Sequence, residues 1–279
     1  MKYLAITCFL GVACASAAQA QSERPSTDQS AAVQILPAAE EGGPHNFVAA
    51  GLAIGPKYPG SKTYAPIPLV VADIDVKGID VSTHGLELRA DVLGGRSHFL
   101  IGPAIGYDFG RKPSDGGVAR KLNKIGGSLK VGGIVGYRFG GNETGQGQVE
   151  LTATVLQDVS KVDKGATATA AVSYVIYRNT RWNVAADVSG VYATGKSMRT
   201  YFGVTPQESL TSGLAAYSPG SGIESVGGGL NIGYQLSRRW GVFTRIGYDD
   251  LVGKAGKSPI VKAGSHNQFL GGVGLSFRF

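Results

Sequence analysis

The chain has little cysteine, little charge and no long apolar run beyond its first residues. Its 279 residues contain two cysteines, Cys8 and Cys14, so the chain after residue 20 lacks thiols for disulfides or cysteine metal sites. After residue 20, no stretch reaches the roughly 18 consecutive apolar residues of a membrane-spanning helix. Charged residues make up 17%, and the formal net charge of +7 is modest for this length. These absences exclude a disulfide scaffold and a helical membrane protein, and they give no indication of nucleic-acid binding.

The N-terminus has the pattern of an export signal. Lys2 precedes apolar and small residues over 3–18, and Ala18-Gln19-Ala20 forms an A-x-A cleavage site. We therefore predict a signal peptide over residues 1–20. The alternative, a lipoprotein with Cys14 lipidated, is weaker because Gly11 stands where such sites usually carry leucine.

Glycine is abundant, at 43 residues, and it argues against a helical fold. Each glycine inside a helix costs about 1 kcal/mol relative to alanine. Here many glycines lie inside segments in which apolar and polar residues alternate. That combination is typical of a barrel, whose strands need small residues and close backbone approach.

The last strand has the clearest alternation, because side chains on a strand point to opposite faces in turn. One face is apolar and ends on the final residue, as in the C-terminal assembly signal of outer-membrane barrels. Its members are Phe269, Gly271, Val273, Leu275, Phe277 and Phe279. The opposite face is small or polar and comprises Leu270, Gly272, Gly274, Ser276 and Arg278.

The same alternation recurs along the chain, most clearly over 128–139, with aromatic residues at the segment ends. Segments of about 9–11 residues can cross a bilayer at a tilt, and interfacial aromatic girdles belong at their ends. In lipid the sheet must close, because an open edge leaves unpaired backbone groups. We therefore predict an all-β fold, a transmembrane antiparallel up-and-down barrel over 45–279, preceded by a flexible periplasmic lead over 21–44.

Eleven candidate strands can be counted, whereas bacterial single-chain barrels normally have an even number. A twelfth strand starting at Ala32 to Leu36 is the favoured solution, and ten strands are the alternative. The candidates are 46–55, 63–75, 78–92, 98–110, 127–140, 147–160, 166–178, 181–203, 222–237, 240–252 and 267–279. Short turns near 94–96, 140–142, 179–180 and 238–239 are expected to face the periplasm, and long loops at 111–126, 204–221 and 254–266 the exterior.

Residues 190–197, GVYATGKS, fit the phosphate-binding pattern G-x-x-x-x-G-K-[ST]. That function requires a loop between a strand and a helix. The residues here continue a strand pattern, and the following MRTYFGV reads as more strand. We interpret the match as coincidental.

The four histidines, His45, His84, His98 and His266, share no spacing that would bring metal ligands together. A barrel hydrolase would need serine, histidine and an acid oriented together, and Ser265-His266 has no acid nearby in sequence. We predict no enzymatic activity, no catalytic, cofactor-binding or metal-binding residues, and no cofactor.

Two sets of charges have alternative interpretations. The basic loop from Arg111 to Lys124 either is solvated or holds lipopolysaccharide phosphates. Inward-facing charges either line a pore or pair with one another to fill a narrow barrel. The inward set is Lys130, Arg138, Glu150, Asp158, Asp187, Arg245 and Arg278.

Several blocks resemble the MipA/OmpV family of outer-membrane proteins, also called MltA-interacting proteins. The opening block GLAIGPKYPGSKTYAPIPLV carries the turn and the proline-bearing second strand of the family. IGYDFGRK (105–112), the stretch from Tyr201 to Val261, and GSHNQFLGGVGLSFRF (264–279) follow in order. The residues matched in the opening block are Tyr58, Gly60, Ser61, Tyr64 and Pro68.

The resemblance implies a non-enzymatic barrel in the outer membrane, in contact with its lipid and lipopolysaccharide. One class of members is a scaffold that binds a membrane-bound lytic transglycosylase and a bifunctional penicillin-binding protein. A scaffold is therefore the first functional hypothesis. A narrow channel for small solutes and an adhesin acting through outer loops are the alternatives.

Overall fold

A computed structural model describes residues 35–39, 45–94 and 97–279, and within them the chain forms a closed barrel. Twelve antiparallel strands pair in sequence order, and the last pairs with the first. The all-β up-and-down fold is therefore confirmed. The strands are β1 (Phe47–Pro56), β2 (Tyr64–Val76), β3 (Ile79–His84), β4 (Glu87–Asp91), β5 (Phe99–Asp108), β6 (Ser128–Gly140), β7 (Gln148–Asp158), β8 (Ala166–Arg178), β9 (Trp182–Ala193), β10 (Gly222–Gln235), β11 (Trp240–Leu251) and β12 (Asn267–Arg278).

The predicted number of twelve strands is right, but the additional strand comes from the segment 78–92 and not from Ala32 to Leu36. The segment 78–92 is a hairpin, β3 and β4, which turns at Gly85-Leu86. Gly85 has φ +59°, a left-handed conformation that glycine adopts without strain. Leu36 lies in no strand, and residues 32–34 fall outside the described part of the chain. The predicted signal peptide and most of the lead also fall outside it.

The C-terminal alternation is confirmed by the pairing and by the burial of β12. This strand pairs with β1 from Phe47↔Arg278 to Ile54↔Gly271, which closes the barrel. Arg278 and Ser276 are buried inside, whereas Val273 is 61% exposed on the outside. Large apolar residues are exposed in the same way around the wall, among them Leu52, Val70, Ile101, Val135, Val155, Val172, Val188, Ile246 and Leu275. Such a band fits the hydrocarbon core of a bilayer.

Aromatic residues bound this band at both ends of the barrel. At the end that carries Phe47 and Phe279, here called the terminal end, rings contact across adjacent strands, with centroids 4.6 Å apart for Trp182 and Tyr234. At the opposite end, here called the loop end, Tyr248 and Phe269 lie 4.9 Å apart. Further pairs at the terminal end are Phe99–Tyr137 and Trp240–Phe277, and Tyr107–Phe109 lies at the loop end.

The connections are asymmetric, as predicted. At the terminal end they are short, at 77–78, 92–98, 141–147, 179–181 and 236–239. The loop end has the long connections 109–127, 194–221 and 252–266, with shorter ones at 57–63, 85–86 and 159–165. The long connections contain the helices α1 (Gly195–Phe202), α2 (Pro206–Ser212), α3 (Gly253–Gly256) and α4 (Pro259–Ala263), and 3-10 turns at Pro113–Asp115 and Gly117–Lys121. None of the helices described is long and apolar enough to cross a membrane.

The predicted strand over 181–203 is wrong in its second half. β9 ends at Ala193, and α1 begins two residues later. Met198, Tyr201 and Phe202 are spaced as one face of a helix, and all three are buried. The hydroxyl of Thr194, at the N-cap position of α1, accepts a hydrogen bond from the Ala166 N–H (2.8 Å) instead of capping the helix. The start of the helix therefore has no side-chain cap, although Thr194 is a residue type that favours this position.

We predict that Gly132→Ala will destabilise the barrel, because a Cβ at Gly132 would lie 1.8 Å from the Val155 carbonyl oxygen on the adjacent strand. The backbone would have to move, at a cost of about 1–3 kcal/mol. The measurement is urea unfolding in detergent, together with heat-modifiable migration on gels. Gly271→Ala is the matched control, since nothing lies within 4 Å of a Cβ there. Equal stabilities of the two variants would contradict this account of Gly132.

Candidate functional site

The loop end is covered by a packed layer, here called the loop cap, built from α1, α3, α4 and the adjoining strand ends. Its centre is a cluster of buried apolar side chains, and Met198, Phe202 and Ala255 are fully buried. A second cluster joins the turn 57–63 to the loop 109–127 through Tyr58, Ala119 and Leu122. The remaining members of the first cluster are Ile125, Ala193, Tyr201, Leu251 and Val261. The long loops are therefore folded against one another over the lumen.

Two charged residues connect the segments of the loop cap. Arg111 lies over the Tyr58 ring, with its guanidinium carbon 5.9 Å from the centroid, and donates to the Tyr201 carbonyl oxygen at 3.1 Å. Glu208 in α2 accepts from the Thr205 and Asn123 N–H groups at 3.0 and 2.9 Å. The predicted basic loop from Arg111 to Lys124 is thus partly structural. Its other basic residues, Lys112, Arg120, Lys121 and Lys124, are exposed.

The pKa of Glu208 is lowered below its ordinary value. Burial acts to raise this pKa, but hydrogen bonds from the Thr205 and Asn123 N–H groups and from the Thr205 hydroxyl favour the carboxylate and outweigh burial. The charged form of Glu208 therefore stabilises the folded loop cap.

The terminal end is occupied by residues 35–39, here called the N-terminal plug. Leu36 is 1% exposed and packs in the lumen against Phe47, Val71 and Phe243. The plug is held by its backbone: the Arg178 side chain donates to the Leu36 carbonyl oxygen at 3.1 Å, and Arg278 donates to that of Pro37. The Ala38 N–H donates to the Asn179 carbonyl oxygen at 2.8 Å. The plug thus fills the lumen where the short turns lie.

The inward charges between these two closures are paired. Arg138 contacts Glu150 at 2.7 Å and Asp91 at 3.8 Å, and all three residues are buried. Arg245 forms a two-oxygen pair with Asp187. Of the two alternatives for these residues, the arrangement matches charges that fill a narrow barrel.

Nearer the loop end, Lys130 and Asp158 form a second polar layer. The Lys130 ammonium lies 3.7 Å from Asp108 and 3.9 Å from Asp163. The Asp158 carboxylate accepts from the Ser128 hydroxyl at 2.9 Å and from the Asp163 and Lys164 N–H groups at 2.8 Å each. Every residue of the predicted inward set therefore has polar partners.

The phosphate-loop pattern over 190–197 does not form a phosphate-binding loop. Residues 190–193 pair with strands on both sides as part of β9. A helix does follow, contrary to our prediction, but the strand passes into it without the intervening loop that would hold phosphate. The Ser197 hydroxyl is buried and donates to Asp163 at 3.1 Å.

The histidines lie apart. His84 is half-buried in the lumen, and the His98 ring contacts the Arg138 carbonyl oxygen at 3.1 Å. In the part of the chain that is described, no group of three His, Cys, Asp or Glu residues could hold a metal ion. The tertiary structure brings Asp250 to 2.7 Å from His266, an acid that the sequence does not reveal. The neighbouring Ser265 hydroxyl is turned away and donates to the Asn267 carbonyl oxygen.

Comparison with known proteins gives one family. The family model described as MltA-interacting protein MipA matches residues 48–279. No curated protein matches the chain. Among solved structures, a NanC porin is 10% identical over 84% of this chain and 100% of its own, with a TM-score of 0.44. The Pseudomonas putida toluene transporter TodX is 11% identical over 89% of this chain and 93% of its own, with a TM-score of 0.36. These structural likenesses are too distant to carry an argument about function.

We predict that acid will loosen the loop cap through Glu208. Because the pKa of Glu208 is lowered on folding, its contribution is present above the unfolded-state pKa and is lost as pH falls through the folded-state pKa. Protease accessibility of the long loops should rise as pH falls below the ordinary pKa of a glutamate. Glu208→Gln should raise protease accessibility already at neutral pH, because the loop cap loses about 1 kcal/mol of stability. The same variant should lose part of the pH dependence. Glu143→Gln, in an exposed turn at the terminal end, is the control, and identical profiles for both variants would refute the assignment.

Proposed function

This chain belongs to the MltA-interacting protein MipA family, and we propose that it is an outer-membrane barrel that acts as a non-catalytic scaffold. The proposed partners are a membrane-bound lytic transglycosylase and a bifunctional penicillin-binding protein of the peptidoglycan machinery. The family match over residues 48–279 covers the barrel almost completely, and the name of the family refers to binding of a transglycosylase. The remaining support comes from the geometry of the barrel.

The outer-membrane location is supported by the outer surface of the wall. An apolar band bounded by aromatic residues at both ends fits a bilayer with two interfaces. In such barrels the short turns face the periplasm and the long loops the exterior. The terminal end, with the N-terminal plug, is then periplasmic, and the loop cap is extracellular.

The observation that carries the scaffold proposal is that the lumen is closed at both ends. The N-terminal plug occupies the periplasmic mouth, paired charges cross the middle, and the loop cap covers the outer mouth. A channel needs a continuous water-filled path, whereas a scaffold needs a rigid body with an exposed recognition surface. The filled barrel therefore favours the scaffold over the narrow channel.

The periplasmic end offers a basic rim for partners. Arg181, Arg238 and Arg239 are exposed in the turns 179–181 and 236–239. Both turns adjoin the plug. In the first turn, the Asn179 carbonyl oxygen accepts from the Ala38 N–H of the plug. In the second turn, the Arg239 carbonyl oxygen accepts from the N–H of Arg278, whose side chain holds the plug. Plug and rim thus form one continuous surface facing the cell wall.

We predict that reversing the charge of this rim will weaken capture of the partners. The triple variant Arg181→Glu, Arg238→Glu, Arg239→Glu should recover several-fold less purified transglycosylase or penicillin-binding protein from detergent solution than the natural chain. The control triple Arg120→Glu, Lys121→Glu, Lys124→Glu reverses the same number of charges at the opposite end of the barrel. If the natural chain captures neither enzyme, the scaffold proposal fails for this protein. Equal loss in both triples would exclude the rim as the site.

We further predict that the natural chain will show no stable openings in a planar lipid bilayer, because plug and cap close the lumen. Deleting residues 35–39 should also give no stable openings, since the paired charges and the loop cap still close the lumen. Substituting the exposed Arg181 by alanine is the control and should leave the bilayer silent. Reproducible openings of the natural chain would instead support the channel hypothesis.

A further inference from the structure

The barrel wall is incomplete in one place towards the loop end. On one side, β2 pairs with β1 from Pro56↔Tyr64 at the loop end to Phe47↔Asp73. Its pairing with β3 covers only Asp73–Val76. The Thr83 side chain extends this seam slightly, accepting from the Ala72 N–H at 2.9 Å and donating to the Val70 carbonyl oxygen at 3.3 Å. Within the described barrel, residues 64–69 of β2 therefore have no strand partner on that side.

This gap is framed on all sides, and we call it the lateral window. Residues 64–69 of β2 form one side, and the β3–β4 turn Gly85-Leu86 forms the lower border. The end of β5 forms the other side, where the Tyr107 N–H donates to the Leu86 carbonyl oxygen at 3.1 Å. Above, the Thr63 hydroxyl donates to the Asp115 carbonyl oxygen at 3.2 Å and joins the turn 57–63 to the loop 109–127.

The sequence of β2 is adapted to this unpaired edge. Successive residues of a strand direct their N–H and C=O groups to opposite neighbours, and Val70 and Ala72 direct theirs to the β3 side. Pro66 and Pro68 have the same parity, so their missing N–H groups belong to the open edge. Proline is tolerated in a strand where no ladder bond is needed. Two donors that would be unpaired at membrane depth are thus absent.

The window is apolar on both faces. On the outside Val70, Leu88 and Tyr107 are exposed beside it. On the inside Ile67 and Leu270 both lie over Gly55, and Leu69 lies over Gly272. These inner side chains are only half-buried, and Leu69 also packs against the apolar cluster around Leu36. An apolar strip therefore continues from the lipid side through the window into the barrel.

Two basic residues lie on the loop-end side of the window. Lys62 and Lys112 are exposed, and they lie in the two segments that the Thr63–Asp115 contact joins. The carboxylate of Asp115, in the same segment as Lys112, accepts from the Lys112 backbone N–H at 2.6 Å. A ligand that matches both parts has an apolar chain below and an anionic group above.

We propose that the lateral window is a binding site for an acyl chain of a phosphorylated outer-leaflet lipid of the lipid A class. The chain would lie against Ile67, Leu69 and Leu270, and the phosphate would contact Lys62 and Lys112. This inference rests on the outer-membrane orientation given under the proposed function, in which the window lies at the depth of the outer leaflet. It requires neither the transglycosylase nor the penicillin-binding protein.

The test is photo-crosslinking of the full chain, refolded in phosphatidylethanolamine vesicles with or without lipopolysaccharide. A benzophenone amino acid replaces Ile67 at the window, or Ala171, which faces the lumen on β8 across the barrel. We expect a lipid A adduct at 67 and none at 171. Combining the label at 67 with Lys62→Glu and Lys112→Glu should reduce the adduct several-fold, whereas the pair Lys121→Glu and Lys124→Glu should not.

Several outcomes would overturn the proposal. The first two are the absence of an adduct with the label at position 67 and equal adducts with the labels at positions 67 and 171. The others are a phospholipid adduct at position 67 that lipopolysaccharide does not displace and, in whole cells, a protein adduct at that position. Heat-modifiable migration must first show that each labelled variant is folded. A folded barrel without the adduct defeats only the window site, whereas a chain that fractionates as soluble defeats the outer-membrane location itself.

Discussion

The structure depends on one constraint, which is that the backbone groups of a wall in contact with lipid must be paired within the wall. Twelve strands meet this constraint by closing on themselves, and the closing seam is the pairing of β12 with β1 from Phe47↔Arg278 onward. The alternation of side chains then follows, since each strand has one face towards lipid and one towards the lumen. A departure within the described barrel, beside β2, occurs where two prolines remove N–H donors from the free edge. The two prolines reduce the number of unpaired backbone groups at this edge, although their carbonyl oxygens still face the gap.

Closure creates a second requirement, because a narrow barrel encloses polar side chains away from bulk water. Burying an unpaired charge is costly, so the enclosed charges must meet partners. Arg138 with Glu150 and Asp91, and Arg245 with Asp187, meet this need within the wall. Arg178 and Arg278 meet it by binding backbone carbonyl oxygens of residues 36 and 37, outside the wall. The N-terminal plug is thus part of the solution to lumen electrostatics, and a filled barrel of this kind suits a rigid scaffold.

Much of the fold was predictable because its strongest signals are local. A period of two, aromatic residues at strand ends and glycine turns are properties of short stretches, and they located ten strands correctly in outline. The failures have physical reasons. The segment 78–92 looks like one long strand because the β3–β4 hairpin turns in two residues, Gly85 and Leu86, without breaking the apolar pattern. The helix after β9 was missed because it is short and follows the strand after one residue, although Thr194 and the spacing of Met198, Tyr201 and Phe202 are helical signals.

Local patterns of residues were enough to show that this chain is a barrel, which residues face outward, which end carries the long loops, and which family it belongs to. These properties follow from residue period and local turn chemistry, which need no knowledge of distant contacts. The contents of the lumen depend on long-range contacts, because Arg178 meets residue 36, and Asp187 meets Arg245, across long stretches of chain. The opening in the wall likewise depends on the tertiary structure, since a missing strand partner is a property of neighbouring strands and their relative lengths. The two prolines of β2 were visible in the sequence, but their meaning depends on which neighbour their backbone faces.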